Sequence, residues 1–108
     1  MFNINGENWR VLIVSPMDPS LIGPSGRRTL GVCDDLSKTI CIADGLAQKK
    51  MFKVLCHEIT HAAMFSYNVV LSYAQEELLA DLLATYGAEI IETANLIFHR
   101  IIENREFI

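Results

Sequence analysis

The sequence predicts a single α+β domain in which short β-strands come first and α-helices follow. The chain has 108 residues, which is enough for one modest hydrophobic core. Its apolar residues form three short segments rich in β-branched side chains before position 44, and they switch to helical spacing from Leu46 onward. We therefore expect one domain over residues 1–108, with a small twisted N-terminal sheet of about three strands packed on helices.

The three predicted strands are WRVLIVS at 9–15, TLGVC at 29–33 and TICIA at 39–43. The first reads as a buried strand because its apolar run is nearly continuous. The polar segment DDLSK between the last two suits a hairpin turn. All three prolines fall in PMDPSLIGPSGRR, residues 16–28, which predicts a long surface loop.

The helical half is predicted to hold three segments. Residues 46–66 form the first and residues 74–86 the second, with a loop over 66–72 between them. Gly87 either caps the second helix or lies inside a longer one. Further on, apolar residues at three- and four-residue spacing predict an amphipathic helix with one face packed on the core. These residues are Ile90, Ile91, Ala94, Ile97, Phe98, Ile101 and Ile102.

Composition narrows the class of protein and its partners. The net charge of −4 provides no basic face, so we expect no nucleic-acid partner. No apolar run approaches the roughly 18 residues of a membrane span, and MFNINGENWR does not resemble a signal peptide, so we expect no membrane partner. Cys33, Cys41 and Cys56 are odd in number and lack CxxC spacing, which favours free thiols and a cytoplasmic location.

The segment VLCHEITHAAMF, residues 54–65, carries the chemistry. His57 and His61 lie about 40° apart around a helix and one turn from each other, so both imidazoles can reach one metal ion. Glu58 lies about 100° from His57 and can address a water on that ion without binding the ion itself. The opposite face is predicted to pack on the core through Phe52, Leu55, Cys56, Ile59, Ala62 and Ala63.

A short HExxH motif also arises by chance, so a metal site requires a third ligand. The segment EELLADLLATYG, residues 76–87, places Glu77 and Asp81 four residues apart on one helical face. An ordinary solvated stripe on an amphipathic helix would explain this pair equally well if the segment stood alone. Two histidines and one carboxylate form a known catalytic zinc shell, in which the other carboxylate would accept a hydrogen bond from a ligand imidazole.

HEITHA followed downstream by ExxxD resembles the gluzincin family of zinc metallopeptidases, over about residues 29–87. The resemblance implies that His57, His61 and Glu77 bind Zn²⁺, that Glu58 is the catalytic base and that Asp81 orients a ligand imidazole. The short chain most resembles the minigluzincins. Residues 77–84 also resemble the ExxAxxFA signature of ImmA/IrrE-type metallopeptidases, with Leu83 in place of the usual phenylalanine.

The resemblance further implies a zincin-like fold and a zinc-dependent endopeptidase that hydrolyses peptide bonds in proteins or peptides. The strand at 39–43 would line the cleft, and an extended peptide could pair with its edge. The sequence singles out no residue to stabilise the oxyanion that forms during hydrolysis. The candidates are His99, Tyr67, Tyr73 and Tyr86.

Two alternatives to an active peptidase stay open. The first is a regulatory or interaction module that keeps the zinc helix for structure and has little catalysis. The second is a latent zincin whose cleft is covered by the C-terminal helix or by self-association through that helix's apolar stripe. The sequence alone does not choose among the three.

Overall fold

Four strands and three α-helices build the fold in a computed structural model that describes residues 1–104. The strands are β1 (Phe2–Ile4), β2 (Glu7–Val14), β3 (Gly31–Asp34) and β4 (Thr39–Ala43). The helices are α1 (Gln48–Ser66), α2 (Tyr73–Leu82) and α3 (Ala88–Asn104), and a π-helical turn (Leu83–Gly87) joins α2 to α3. The predicted α+β class is confirmed, and none of the helices described has the length and apolar character needed to cross a membrane.

The sheet is mixed and has the order β1-β2-β4-β3, so it holds one strand more than the sequence predicted. The additional strand, β1, pairs antiparallel with β2 through a tight turn at Asn5 and Gly6. Both turn residues have positive φ, 49° and 83°, as a two-residue hairpin turn requires. The segment FNINGENW contained this signal, since Asn-Gly there lies between two alternating runs.

Strand β4 is an interior strand, which corrects the expectation that residues 39–43 offer a free edge to a peptide. It pairs parallel with β2 and antiparallel with β3, and four of its five residues are buried. TICIA is a short, mostly apolar run that contains three β-branched residues. Such a run suits an interior strand whose two faces are both buried. Within residues 1–104 the sheet ends at β1 on one side and at β3 on the other, and β3 is the edge strand that lines the cleft described below.

The hydrophobic core lies between one face of the sheet and α1. Trp9, Ile40, Ile42 and Ala62 are its fully buried members. The indole Nε1–H of Trp9 donates a 2.8 Å hydrogen bond to Oγ of Ser66, which holds the last turn of α1 against β2. Burying an indole N–H without such an acceptor would be costly, so this bond fixes the position of α1 on the sheet.

Two details of the predicted burial are wrong. Phe52 was placed on the core face of α1, but it is 54% exposed because it lies about 80° around the helix from Ala62. The strand at 9–15 was predicted to be buried throughout, but Ile13 is 51% exposed. The predicted surface loop, in turn, contains one fully buried side chain, Leu21, at the end of a short 3-10 helix (Pro19–Leu21).

Helix α3 does not pack on the core, contrary to the prediction. Helix α2, the π-helical turn and α3 follow one another without a break, and this continuous run carries α3 away from the sheet. Gly87 therefore lies inside a long helical segment and does not cap a helix. The molecule is elongated as a result, with extents of 54 × 31 × 28 Å.

Candidate metal centre

Helix α1 and strand β3 form two walls of a cleft of about 550 Å³, and α2 forms a third. His57, Glu58 and His61 project into this cleft from consecutive turns of α1. The His57 and His61 side chains are 20% and 13% exposed, so each is mostly shielded yet open to the cleft. Val54 and Phe65 flank them and give the cleft a partly apolar lining.

Helix α2 is placed opposite the two histidines by a well-defined N-terminus. The hydroxyl of Ser72 accepts a hydrogen bond from the backbone N–H of Gln75, and the Gln75 side chain accepts one from the backbone N–H of Ser72. This reciprocal capping box fixes where the helix begins. Glu77 follows one turn later and faces the histidines.

The structure brings His57, His61 and Glu77 together around one point. The two Nε2 atoms are 3.1 Å apart, and the Glu77 oxygens lie 2.9 Å from Nε2 of His61 and 3.4 Å from Nε2 of His57. A tetrahedral zinc ion with ligand distances of about 2.0–2.1 Å would separate its ligand atoms by roughly 3.3 Å. The three side chains therefore have the spacing needed to hold a metal ion.

Each imidazole also meets a carboxylate through its other ring nitrogen. Nδ1 of His57 lies 3.0 Å from Oδ1 of Asp81, and Nδ1 of His61 lies 2.7 Å from Oε1 of Glu76. If both Nδ1 atoms carry the proton, both Nε2 lone pairs point toward each other and toward the Glu77 carboxylate. Three acceptors at this separation repel one another unless the imidazoles are doubly protonated or a cation lies between them.

The sequence predicted Asp81 as the partner of one ligand imidazole without specifying which, and the structure places it beside His57. The contact of Glu76 with His61 was not foreseen. The sequence predicts a carboxylate partner for only one imidazole. Two histidines four residues apart, however, present two Nδ1 atoms, and each of them can accept such a partner. The tandem glutamates at 76 and 77 were the available signal. Neighbouring helix positions point about 100° apart, so Glu77 can face the Nε2 atoms while Glu76 reaches around to Nδ1 of His61.

Glu58 is buried beside the three potential ligands. The carboxylates that lie within ion-pair distance of His57 and His61 are those of Glu76, Glu77 and Asp81, and the Glu58 carboxylate is not among them. Burial raises the pKa of its carboxyl group, and the nearby Glu77 raises it further, while His57 and His61 act in the opposite direction. A buried carboxylate that faces a cleft and is not a ligand is suited to accepting a proton.

Gly31 of β3 makes this arrangement sterically possible. A Cβ atom at position 31 would lie 2.7 Å from Cγ1 of Val54 and 3.0 Å from Cγ of Glu58. Only glycine therefore allows β3 to approach α1 so closely at this point. The close approach places the open edge of β3 directly beside Glu58.

Among the four candidates for the oxyanion-stabilising residue, the structure brings only Tyr73 to the cleft. Tyr67 lines a separate groove on the other side of α2, and His99 lies on the projecting helix α3. Tyr86 lies in the π-helical turn and is half exposed, outside the cleft lining.

All three cysteines are free thiols, as predicted. Cys33 on β3 lines the cleft, and its burial, assisted by the negative charge of Glu58, raises its pKa to about 12. A thiol with this pKa stays protonated near neutral pH, so it is a poor nucleophile. The cleft chemistry therefore rests on the histidines and carboxylates.

Comparison of the chain with protein-family models, with curated proteins and with solved structures finds no match.

Proposed function

We propose that the protein is a zinc-dependent endopeptidase that hydrolyses peptide bonds in proteins or peptides. The observation that carries the proposal is the convergence of His57, His61 and Glu77 on one point while Glu58 stands beside them unligated. The fold in this proposal is zincin-like, since a sheet packs on the HExxH helix and the next helix supplies the third ligand.

The donor set favours zinc among the common metal ions. Two imidazole nitrogens and one carboxylate oxygen suit zinc, whereas magnesium and calcium prefer sites built from oxygen atoms alone. Three protein ligands leave the fourth tetrahedral position for water, which is the arrangement of catalytic zinc sites. Zinc bound there would lower the pKa of its water and polarise the scissile carbonyl group.

The side chains around the ion then have separate roles. Glu58 accepts a proton from the attacking water and passes it to the departing amine. Asp81 and Glu76 hold His57 and His61 in the tautomer whose Nε2 lone pair faces the cleft. Among the four candidates for the oxyanion-stabilising residue, Tyr73 is the one that lines the cleft, and its hydroxyl could donate to the developing oxyanion.

The open edge of β3 supports a peptide as substrate. Gly31, Val32 and Cys33 line the cleft, and their strand pairs with β4 on its other side. An extended peptide can add to such an edge through backbone hydrogen bonds, which bind it without requiring a particular sequence. In this position the peptide backbone would pass beside Glu58, because Gly31 lies against that residue.

We also place the protein in the cytoplasm. All three cysteines are unpaired, and such thiols persist in a reducing compartment.

The regulatory and latent alternatives are separated from the proposal by one experiment. Freshly purified protein is analysed for metal, stripped with a chelator and reloaded with zinc, and each form is incubated with a denatured protein. We expect cleavage by the purified and reloaded forms and none by the stripped form. Zinc binding without cleavage by any form would contradict an active peptidase and would favour a regulatory module or a zincin made latent by self-association. A latent state in which α3 covers the cleft of its own chain is not supported, because no residue of α3 up to Asn104 lines the cleft.

A further inference from the structure

Helix α3 carries an apolar stripe that residues 1–104 of the same chain leave uncovered. The large side chains of the stripe, Ile90, Ile91, Ile97, Phe98 and Ile102, are between 38% and 61% exposed. Within residues 1–104, α3 packs substantially only on the π-helical turn that precedes it. Such a stripe on a helix usually faces a packing partner, and the body of the same chain does not provide one here.

Between Ala88 and Asn104, no charged residue falls within the arc of the stripe. At 100° per residue the stripe covers an arc of about 140° around the helix. Glu92, His99 and Glu103 lie on the opposite side of α3, where water solvates them. Leu96 also lies on that polar side. It is 55% exposed, as the stripe residues are, so it is an apolar position of similar exposure outside the stripe. The segregation indicates that the stripe, and not the whole helix, is the contact surface.

The body of the protein has an apolar groove next to the start of α3. This α1–α2 groove has a volume of about 410 Å³, and its lining is almost entirely apolar. Ile59, Ala63 and Met64 of α1 form one wall, and Leu79 and Leu83 form the other. It lies apart from the metal centre, because no residue lines both the groove and the cleft.

The two surfaces together come close to the smallest area that a specific dimer buries, which is about 600 Å² on each partner. Half of the surface of five large apolar side chains amounts to on the order of 500 Å², which is near the upper end for an exposed patch on a monomer. A protein interface of standard size buries about 800 Å² on each partner. The stripe and the groove together approach the smaller of these two areas, and a two-fold symmetric dimer would use both surfaces on both copies.

We propose that the occupant of the α1–α2 groove is the α3 stripe of a second copy of this chain, in a symmetric dimer that exchanges the two α3 helices. The contact has two halves related by the two-fold axis, so each copy covers the stripe and the groove of the other. The proposal is independent of zinc and of catalysis, since neither surface includes a residue of the metal centre.

The test is the molar mass in solution of four full-length proteins, measured by sedimentation equilibrium. The wild type should have twice the 12.1 kDa of one chain. Ile97→Asp on the stripe and Leu83→Asp in the groove should each give the mass of a single chain. Leu96→Asp, the matched control on the polar side of α3, should remain a dimer. Far-UV circular dichroism and a cooperative thermal unfolding transition show that each variant is folded.

Three outcomes would overturn the proposal. A wild type that stays at the mass of one chain would remove the dimer. Equal effects of Ile97→Asp and Leu96→Asp would mean that the stripe is not the contact surface. Loss of the dimer in Ile97→Asp but not in Leu83→Asp would mean that two α3 helices pair with each other and leave the groove empty.

Discussion

Oε1 of Glu76 lies 2.7 Å from Nδ1 of His61, so each of the two imidazoles at the centre has its own carboxylate partner. The four carboxylates of Glu58, Glu76, Glu77 and Asp81 surround only two histidines. A divalent cation at the centre would reduce this excess of negative charge, and the partners of Nδ1 would keep both Nε2 atoms available to it.

Replacing Glu76 or Asp81 should weaken zinc binding without abolishing it. Each carboxylate fixes the tautomer of one ligand imidazole, so Glu76→Ala and Asp81→Ala should each lower zinc affinity by roughly 10–100-fold. Competition with a chromophoric chelator measures this change. Glu89→Ala, a control that removes an exposed carboxylate from α3, should bind zinc like the wild type. An unchanged affinity in Glu76→Ala would show that the contact with His61 has no part in metal binding.

Glu77→Gln should reduce zinc affinity more than either of those substitutions. The change keeps the size of the side chain but replaces a charged oxygen ligand with a neutral amide, which is a weaker donor to zinc. Because Glu77 is about one third exposed, the folded structure should tolerate the change. The same chelator competition measures the effect. Full zinc affinity in this variant would contradict the assignment, and the third ligand would then be another acid, such as Glu76 or Asp81.

The grouping of His57, His61 and Glu77 was largely predictable because these residues lie on two helices at regular spacing. The geometry of one helix sets the relative positions of His57, Glu58 and His61, and that of another sets Glu77 and Asp81. The bounds of β4 matched the prediction as well, because TICIA is a compact β-branched run between turn residues. Each of these features depends on residues of a single helix or strand, so it can be predicted from their spacing in the sequence.

The features that sequence missed depend on the tertiary arrangement. Strand order is one example, because the parallel pairing of β4 with β2 joins segments that lie far apart in the sequence. The contact of Glu76 with His61 depends on how α2 is oriented against α1. The predicted packing of α3 on the core was wrong. An amphipathic pattern shows that one face of a helix needs a partner, but it does not show which molecule provides that partner.

Gly31→Ala should destabilise the protein by about 1–3 kcal/mol, the usual cost of forcing extra atoms into a packed site. The added methyl group would overlap Val54 and press on Glu58. Gly23→Ala is the matched control, since a Cβ there would meet its nearest neighbour at an ordinary 3.4 Å. Urea unfolding of the metal-free proteins measures both. Equal stabilities of the two variants would contradict the close approach of β3 to α1.

Cys33 should react with iodoacetamide far more slowly than an unfolded thiol. Its pKa is raised to about 12, so at pH 8 the reactive thiolate fraction is on the order of 10⁻⁴. Mass spectrometry after digestion follows each cysteine separately, and the same reaction in urea provides the unfolded reference. Fast labelling of Cys33 in the folded protein would contradict its burial in the cleft.

The raised pKa of Cys33 also sets a pH dependence of stability. The unfolded thiol ionises near pH 9 and the folded one near pH 12, so the unfolded state loses its proton first. Stability should therefore be unaffected by this group below about pH 9 and should fall as the pH rises toward 12. Cys33→Ala should show a smaller decrease over this range in urea unfolding experiments. An equal decrease in both proteins would assign the effect to other groups.

Glu58→Gln distinguishes a catalyst from a zinc-binding scaffold, because it removes the proposed base and leaves the ligands in place. Burial raises the pKa of Glu58, so an amide at this position should not lower the melting temperature of the metal-free protein. Zinc stoichiometry, melting temperature and cleavage of a denatured protein are measured on the same preparations of wild type and variant. We predict equal zinc content, a melting temperature no lower than that of the wild type, and cleavage reduced by roughly 10²–10⁴-fold or more. Undiminished cleavage by Glu58→Gln with its zinc in place would contradict the proposed mechanism.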